Sequence, residues 1–282
     1  MILVKKPFVY EEMIEKMRSK GCVIDDETYC KKILEEIGYY KLSAYFTPFK
    51  NEDGIFIDNV TFNKIYQVYE FDRKLRYLLF GCLEAVEVSL KSKISYFFSH
   101  KYGSLGYLDS NNFNNKHNHN RFMENINKEI DSNKNISFVK HHILKYDGKF
   151  PLWAICELFT FGTISYFYND LTTADKKAIF ASKYKDAIGW IRCCTDLRNI
   201  CAHYGRLYYR IFSAMPSGFN ISEYHKRRLW GAILALRELY PSPDKWNLEF
   251  LPQLKKLFDN YNDYIDLNHI SFPSNWYNQL VI

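Results

Sequence analysis

The sequence lacks the patterns by which much enzyme chemistry can be recognised. Its 282 residues contain no Gly-rich phosphate loop, no HExxH, no GxSxG and no paired Cys/His spacing of a metal site. Seven cysteines, an odd number, lie at irregular spacings without a CxxC pair. The N-terminal stretch MILVKKPFVYEEM has no hydrophobic run of signal-peptide length. A reduced, cytoplasmic protein is the expectation. Long apolar runs are missing too. The longest, Pro151 to Tyr168, is interrupted by Glu157 and several Ser, Thr and Gly residues, and a carboxylate near mid-span costs about 3 kcal/mol. It is expected to be a buried core helix, and no membrane span is predicted. No strand-rich block and no internal repeat appear.

A hydrophobic content of 47% over this length supports a substantial core. The net charge of +6 permits binding to a polyanion without demanding it. Phe and Tyr are abundant, but so are Lys, Asn and Ile, as an AT-rich coding bias would produce, so the aromatics say little about base stacking.

Helical periodicity runs through most of the chain. Residues 9–20 and 25–37 predict short amphipathic helices, the first stopped at Gly21 and the second capped by Asp25-Asp26. Gly38 breaks the pattern, and a small hairpin is expected around Asp53-Gly54. Thr61 to Tyr102 keeps a helical period, as one long helix or two, with Tyr66, Tyr69, Leu75, Leu79, Leu83, Val86, Leu90, Ile94 and Phe97 inward. Glu84, Glu87 and Lys91 are expected to form a solvent-facing ladder on it. An Asn-rich surface loop follows. Its His117-Asn118-His119 spells a nuclease family name, but the ββα-metal frame is missing. Further helices are expected at 121–145, 151–168, 174–185, 222–240 and 248–262. The fold class is all-α, a helical bundle with a cap at 1–58, a core at 59–215 and an extension at 216–282.

Trp190 to Phe212, WIRCCTDLRNICAHYGRLYYRIF, carries the remaining chemistry. At about 100° per residue it predicts one helix with three faces. Leu197, Ile200, Cys201, Tyr204, Leu207, Tyr208 and Ile211 form an apolar arc. Arg192, Asp196, Asn199, His203, Arg206 and Arg210 form the opposing polar stripe. Arg198 shares a lane with Ala202 and Gly205, small enough to admit another backbone. Asp196 is placed either to pair with Arg192 or to act on His203.

Histidine exchanges protons near neutrality, and arginine holds phosphate oxygens with a fixed fork of donors. That pair suits phosphodiester transfer. In RNA the 2′-OH attacks the adjacent phosphorus while a base takes its proton, an acid protonates the 5′-oxygen and positive charge steadies the phosphorane. No metal is needed. Arg198 and His203 are about 140° apart on an ideal helix and cannot both face one phosphate, whereas Asn199 and His203 can. Either the helix is distorted or a second copy completes the site across a two-fold axis. The second is expected here, a homodimer supplying one histidine as base and one as acid.

Most of the chain resembles the Abi family of bacterial abortive-infection proteins, of the AbiD/AbiF type, whose core is a HEPN-type helical ribonuclease domain. The residues that carry the resemblance begin with Lys6-Pro7-Phe8, Gly38-Tyr39-Tyr40-Lys41-Leu42-Ser43 and Tyr45. They continue with Phe71-Asp72-Arg73-Lys74-Leu75-Arg76, Glu84, Glu87, Trp153, Glu157 and Phe161-Gly162. They end with Leu197-Arg198-Asn199, Ala202-His203 and Arg206.

The resemblance implies an Arg-x4-His catalytic pair, Arg198 and His203, in a metal-independent endoribonuclease that needs no cofactor and acts as a dimer. Asn199 would orient the histidine or a phosphate, and Arg206 would bind phosphate. It also implies phage defence or a toxin–antitoxin pair, restrained by a small RNA or a protein antitoxin. Some HEPN toxins carry a modifiable tyrosine two places after the histidine; Gly205 stands there. The rival is a non-catalytic RNA-binding or protein-interaction module, a scaffold or antitoxin, whose Arg/His stripe grips RNA or seals a dimer without cutting.

Overall fold

The helical period from Thr61 onward resolves as one 41-residue helix, Phe62–Tyr102, about 60 Å long at 1.5 Å per residue. The Thr61 hydroxyl accepts from the Lys64 amide at 3.1 Å and caps its start. Leu75, Leu79, Leu83, Val86, Leu90 and Ile94 are buried, as their spacing predicts, and Tyr66, Tyr69 and Phe97 are half-buried against the same core.

The structure, a computed structural model, describes residues 6–282. Met1–Lys5, the start of the stretch without a signal-length apolar run, lie outside the described residues. In chain order the helices are α1 (Tyr10–Arg18), α2 (Glu27–Ile37), α3 (Tyr39–Ser43), α4 (Phe62–Tyr102), α5 (His119–Ser132), α6 (Ser137–Lys145), α7 (Leu152–Ile155), α8 (Phe161–Asp170), α9 (Thr173–Phe180) and α10 (Tyr184–Ala202). After α10 come α11 (Glu223–Lys226), α12 (Leu229–Leu239), α13 (Pro243–Lys245), α14 (Leu251–Asn260) and α15 (Trp276–Leu280). Among the described residues there is no strand, only the isolated bridges Val23–Thr61 and Lys50–Phe56. The all-α class therefore holds. The hairpin expected near Asp53-Gly54 reduces to a turn closed by the second bridge.

Three expected helices divide. The core segment 151–168 breaks between α7 and α8, where the Thr160 hydroxyl accepts from the Thr163 amide and starts a new helix. The 121–145 stretch splits into α5 and α6. The 222–240 stretch splits at Arg227 and Arg228, and α12 is buried on nearly all sides rather than amphipathic. α10 runs through the interior, packed against α12, α4, α8 and α9, with Trp190, Ile191, Cys194 and Leu197 buried. No helix is long and apolar enough among the described residues to cross a membrane. All seven cysteines are free and buried. Burial pushes the Cys22 thiol up to about 11, the behaviour of inert structural cysteines.

Candidate functional site

The helix predicted over Trp190 to Phe212 ends ten residues early, at Ala202. His203 is its C-cap, and Tyr204 turns into the left-handed region at φ 57. The Tyr204 amide donates to the Cys201 carbonyl at 3.2 Å, and the Gly205 amide to the Ile200 carbonyl at 2.7 Å. These are the paired bonds of a Schellman stop. Arg206 and Arg210 therefore leave the helical polar stripe. Gly205 does not serve as an open lane for another backbone. A Cβ there would meet Ile200 Cγ2 at 2.9 Å and its carbonyl oxygen at 3.2 Å. Gly205→Ala is expected to cost about 1–3 kcal/mol, the range for forcing an atom into packed space, measured as a lowered thermal midpoint.

What fixes the chain after this turn is a carboxylate from α4. Asp72 is wholly buried. Its Oδ1 accepts from the Tyr208 amide at 2.7 Å and the Leu207 amide at 3.1 Å. Its Oδ2 accepts from the Tyr45 hydroxyl at 2.7 Å, from the Leu207 amide and from the Arg76 guanidinium. Burial raises the Asp72 carboxyl above its ordinary range, while Arg76, Tyr45 and the two amides pull the other way. Each of these neighbours presents a hydrogen to the carboxylate, so the ionised form is the one the surroundings fit.

Four further bonds tie α4 and the α3 region to this turn and to each other. Arg76 Nη1 reaches the Gly205 carbonyl at 3.3 Å and the Tyr45 hydroxyl at 3.1 Å. Lys41 donates to the Tyr204 carbonyl, and Arg206 Nη1 to the Ala44 carbonyl. The segments Gly38–Tyr45 and Phe71–Arg76 thus converge on the backbone that follows His203. Sequence reasoning assigned no role to Asp72 or Arg76. An Asp and an Arg at i and i+4, flanked by the buried Phe71, Leu75 and Leu79, were the available signal.

Tyr208 ties the same turn to the C-terminal region. Its hydroxyl accepts from the Asp266 amide at 2.8 Å and lies 2.8 Å from His269 Nδ1. Burial pulls His269 below its ordinary pKa, with Arg228 acting in the same direction and Asp266 opposing. The folded chain thus holds this ring neutral at a pH where the unfolded chain protonates it. Stability from this group is full above about pH 6.5 and falls as the pH drops below that value. A urea midpoint measured at pH 7.5 and at pH 5.5 should fall on acidification, and by less in His269→Gln.

Of the predicted site residues, Arg198 and Asn199 lie near the end of α10, His203 caps it and Arg206 follows in the irregular segment. His203 is exposed, and among the described residues no hydrogen bond engages its ring. Asn199 is exposed, with its Oδ1 3.4 Å from Arg198 Nη1. Arg198 is 30% exposed and lies over α4, its Nε 3.5 Å from Glu87 Oε2. Glu87 and Lys91 are only 14% and 15% exposed at 3.2 Å, so this part of the expected solvated ladder is mostly covered. Asp196 pairs with neither Arg192 nor His203; its Oδ2 accepts from the Ser213 hydroxyl at 3.3 Å. The His203 amide keeps its bond to the Asn199 carbonyl at 3.0 Å. The helical register from Asn199 to His203 therefore persists, and among the described residues no hydrogen bond joins Arg198 to His203.

Three depressions lie around the last two turns of α10, and His203 lines none of them. One of 540 Å³ reaches Ala202 and Tyr204 and is walled by Tyr69, Tyr77, Phe80 and Arg73. One of 440 Å³ holds Asn199, Asp196, Arg210 and Arg227. One of 220 Å³ holds Arg198 with Phe80, Glu84, Glu87 and Val88. Among the described residues no three His, Cys, Asp or Glu side chains gather as a metal cluster.

These features define an all-α protein whose central helix ends in an exposed Arg-Asn-x3-His on a turn held by a buried carboxylate. The chain belongs to the Abi-like protein family, which it matches over residues 32–209. That span runs from within α2 to Tyr209 and includes both the Asp72 anchor and the Arg/His turn. Comparison with curated proteins and with solved structures returned no match.

Proposed function

We propose that the protein is a metal-independent endoribonuclease of the HEPN type, acting in abortive infection or as the toxin of a toxin–antitoxin pair, with its site shared by two copies of the chain. The observation that carries this reading is the exposed, unengaged His203 at the pinned end of α10, within two turns of Arg198 and Asn199. Such a ring is free to exchange a proton with substrate. Arg198 supplies charge to the phosphate, Asn199 orients the phosphate or the partner's ring, and Arg206 holds the turn while adding positive charge beside it.

In the reaction the 2′-oxygen forms a bond to phosphorus as one His203 takes its proton. The bond to the 5′-oxygen breaks as the second His203 delivers a proton there. A second copy is supported by the α4 surface beside Arg198, where Phe80 and Val88 are exposed about two turns apart and the exposed Tyr77 stands one turn before Phe80. The aromatic walls of the 540 Å³ depression, Tyr69, Tyr77 and Phe80, offer stacking surfaces for unpaired bases.

The test is cleavage of labelled RNA by the purified chain in EDTA, with end mapping. Products ending in 2′,3′-cyclic phosphate are expected. RNA bound and left intact at concentrations that give dimers would instead establish a binding module.

A further inference from the structure

A second site lies outside α10. α5 and α8 present matching rows to each other, with Arg121, Phe122 and Asn125 on one and Thr163, Tyr166, Phe167 and Asp170 on the other. The rows do not close. Between them lies a slot of 350 Å³, whose mouth also includes Lys116, Asn118 and Asn169. Phe122 and Phe167 both line it, their ring centroids 5.8 Å apart.

The polar groups around the slot are unequally engaged. Asp170, its only acid, is already occupied: Oδ2 lies 2.9 Å from His117 Nδ1, and Oδ1 accepts from the Asn169 amide nitrogen at 3.3 Å. His117 is itself held, stacked on Phe113 at 4.0 Å between centroids, with Nε2 3.2 Å from His119 Nδ1. Lys116 and Arg121, by contrast, are exposed, and among the described residues neither has an acid within salt-bridge distance. Asn125 is exposed, and Tyr166 is 75% exposed at the rim.

We propose that this slot binds one nucleotide, with the base against Phe122, Phe167 and Tyr166 and the phosphate on Lys116 and Arg121. A flat ring suits the aromatic lining, and an anion suits two cations whose nearby carboxylate is already paired. The amide of the exposed Asn125 is placed to hydrogen-bond a base edge. A volume near the lower end of small-ligand pockets, which run from about 300 to 1,000 Å³, admits one nucleotide and excludes a helix or a duplex. The occupant is either a free nucleotide or an unstacked nucleotide of an RNA strand. The site shares no residue with the Arg198–His203 turn, so it stands or falls apart from the ribonuclease reading.

The experiment uses full-length His203→Ala protein, with the integrity of each strand checked on a denaturing gel after titration. Calorimetry is run with each of the four nucleoside 5′-monophosphates, with the matching nucleosides, and with a single-stranded RNA 12-mer beside its duplex. The 5′-monophosphates are expected to bind at least about tenfold more tightly than their nucleosides, and Tyr166→Ala to weaken binding by about tenfold, as loss of one stacking surface does. The Lys116→Gln/Arg121→Gln double variant should abolish the preference for the phosphate. Binding of the single-stranded 12-mer alone, with the same losses in the variants, assigns the site to a strand nucleotide and supports the proposal. Binding by neither monophosphate nor 12-mer at millimolar concentration overturns it. So does binding that Tyr166→Ala and the double variant leave unchanged while their thermal midpoints match that of the parent.

Discussion

His203→Ala should slow RNA cleavage by about 10²–10⁴-fold, the usual contribution of a positioned acid or base. Its stability should barely change, since the ring is exposed and makes no hydrogen bond within the described chain. Arg198→Ala should lose activity on a similar scale. Arg198→Lys should recover only part of it, because an ammonium keeps the charge but not the planar fork. Initial rates on 5′-labelled RNA in EDTA measure all three. A bell-shaped pH–rate profile is expected if one histidine acts as base and its partner as acid. Specific activity should also fall on dilution below the dimer dissociation constant. An undiminished rate in His203→Ala, or activity that disappears on chelation, contradicts the assignment.

The proposed dependence on a second copy rests on the positions of the two groups. Arg198 rests against Glu87 on α4, and His203 caps the helix on another side, still in register with Asn199. On the proposed reading, a phosphate held by Arg198 of one chain is reached by His203 of the other. The exposed Phe80 and Val88 line the α4 surface bordering Arg198. A charge placed there, as in Val88→Asp, should reduce dimer content and cleavage in proportion.

Periodicity made α4 legible because forty residues of consistent spacing leave no other element that buries Leu75, Leu83, Leu90 and Ile94 together. Caps did the same for α2, where Asp26 accepts from the Tyr29 amide at 2.8 Å. The end of α10 was not legible, and the reason is local. Leu207 and Tyr208 continue the helical period and are buried, but they are buried as an irregular segment. The stop is made by Tyr204 in a left-handed conformation, which a tyrosine does not advertise, and the glycine that would suggest it stands one position later. Arg198 and His203 were visible as residue types at a spacing. Their separation in space, and the covering of Glu87 and Lys91, depend on how α10 crosses α4, which no local pattern encodes. The partner of Asp72 was hidden for the same reason, since the amides it binds lie 135 and 136 residues further on.

Asp72→Ala is expected to be the most destabilising single change at the site. It would leave Arg76 as a buried cation without its counter-ion, and the Leu207 and Tyr208 amides without their acceptor. Breaking one half of a buried pair costs about 3–5 kcal/mol. At roughly 2–4 °C per kcal/mol for a chain near this size, the thermal midpoint should fall by on the order of 10 °C. Tyr45→Phe removes only one of the donors, and a loss nearer 1 kcal/mol is expected. The double replacement Asp72→Leu/Arg76→Leu should lose less than Asp72→Ala, because no charge is then stranded. Hydrogen exchange separates this anchor from a general packing effect. In Tyr45→Phe, which stays well folded, the Leu207 and Tyr208 amides should remain protected; in Asp72→Ala, measured well below its midpoint, they should exchange ahead of the α4 core amides. If Asp72→Ala melts within a degree or two of wild type with those amides still protected, the carboxylate is not what holds the turn. His203 would then owe its position to α10 alone.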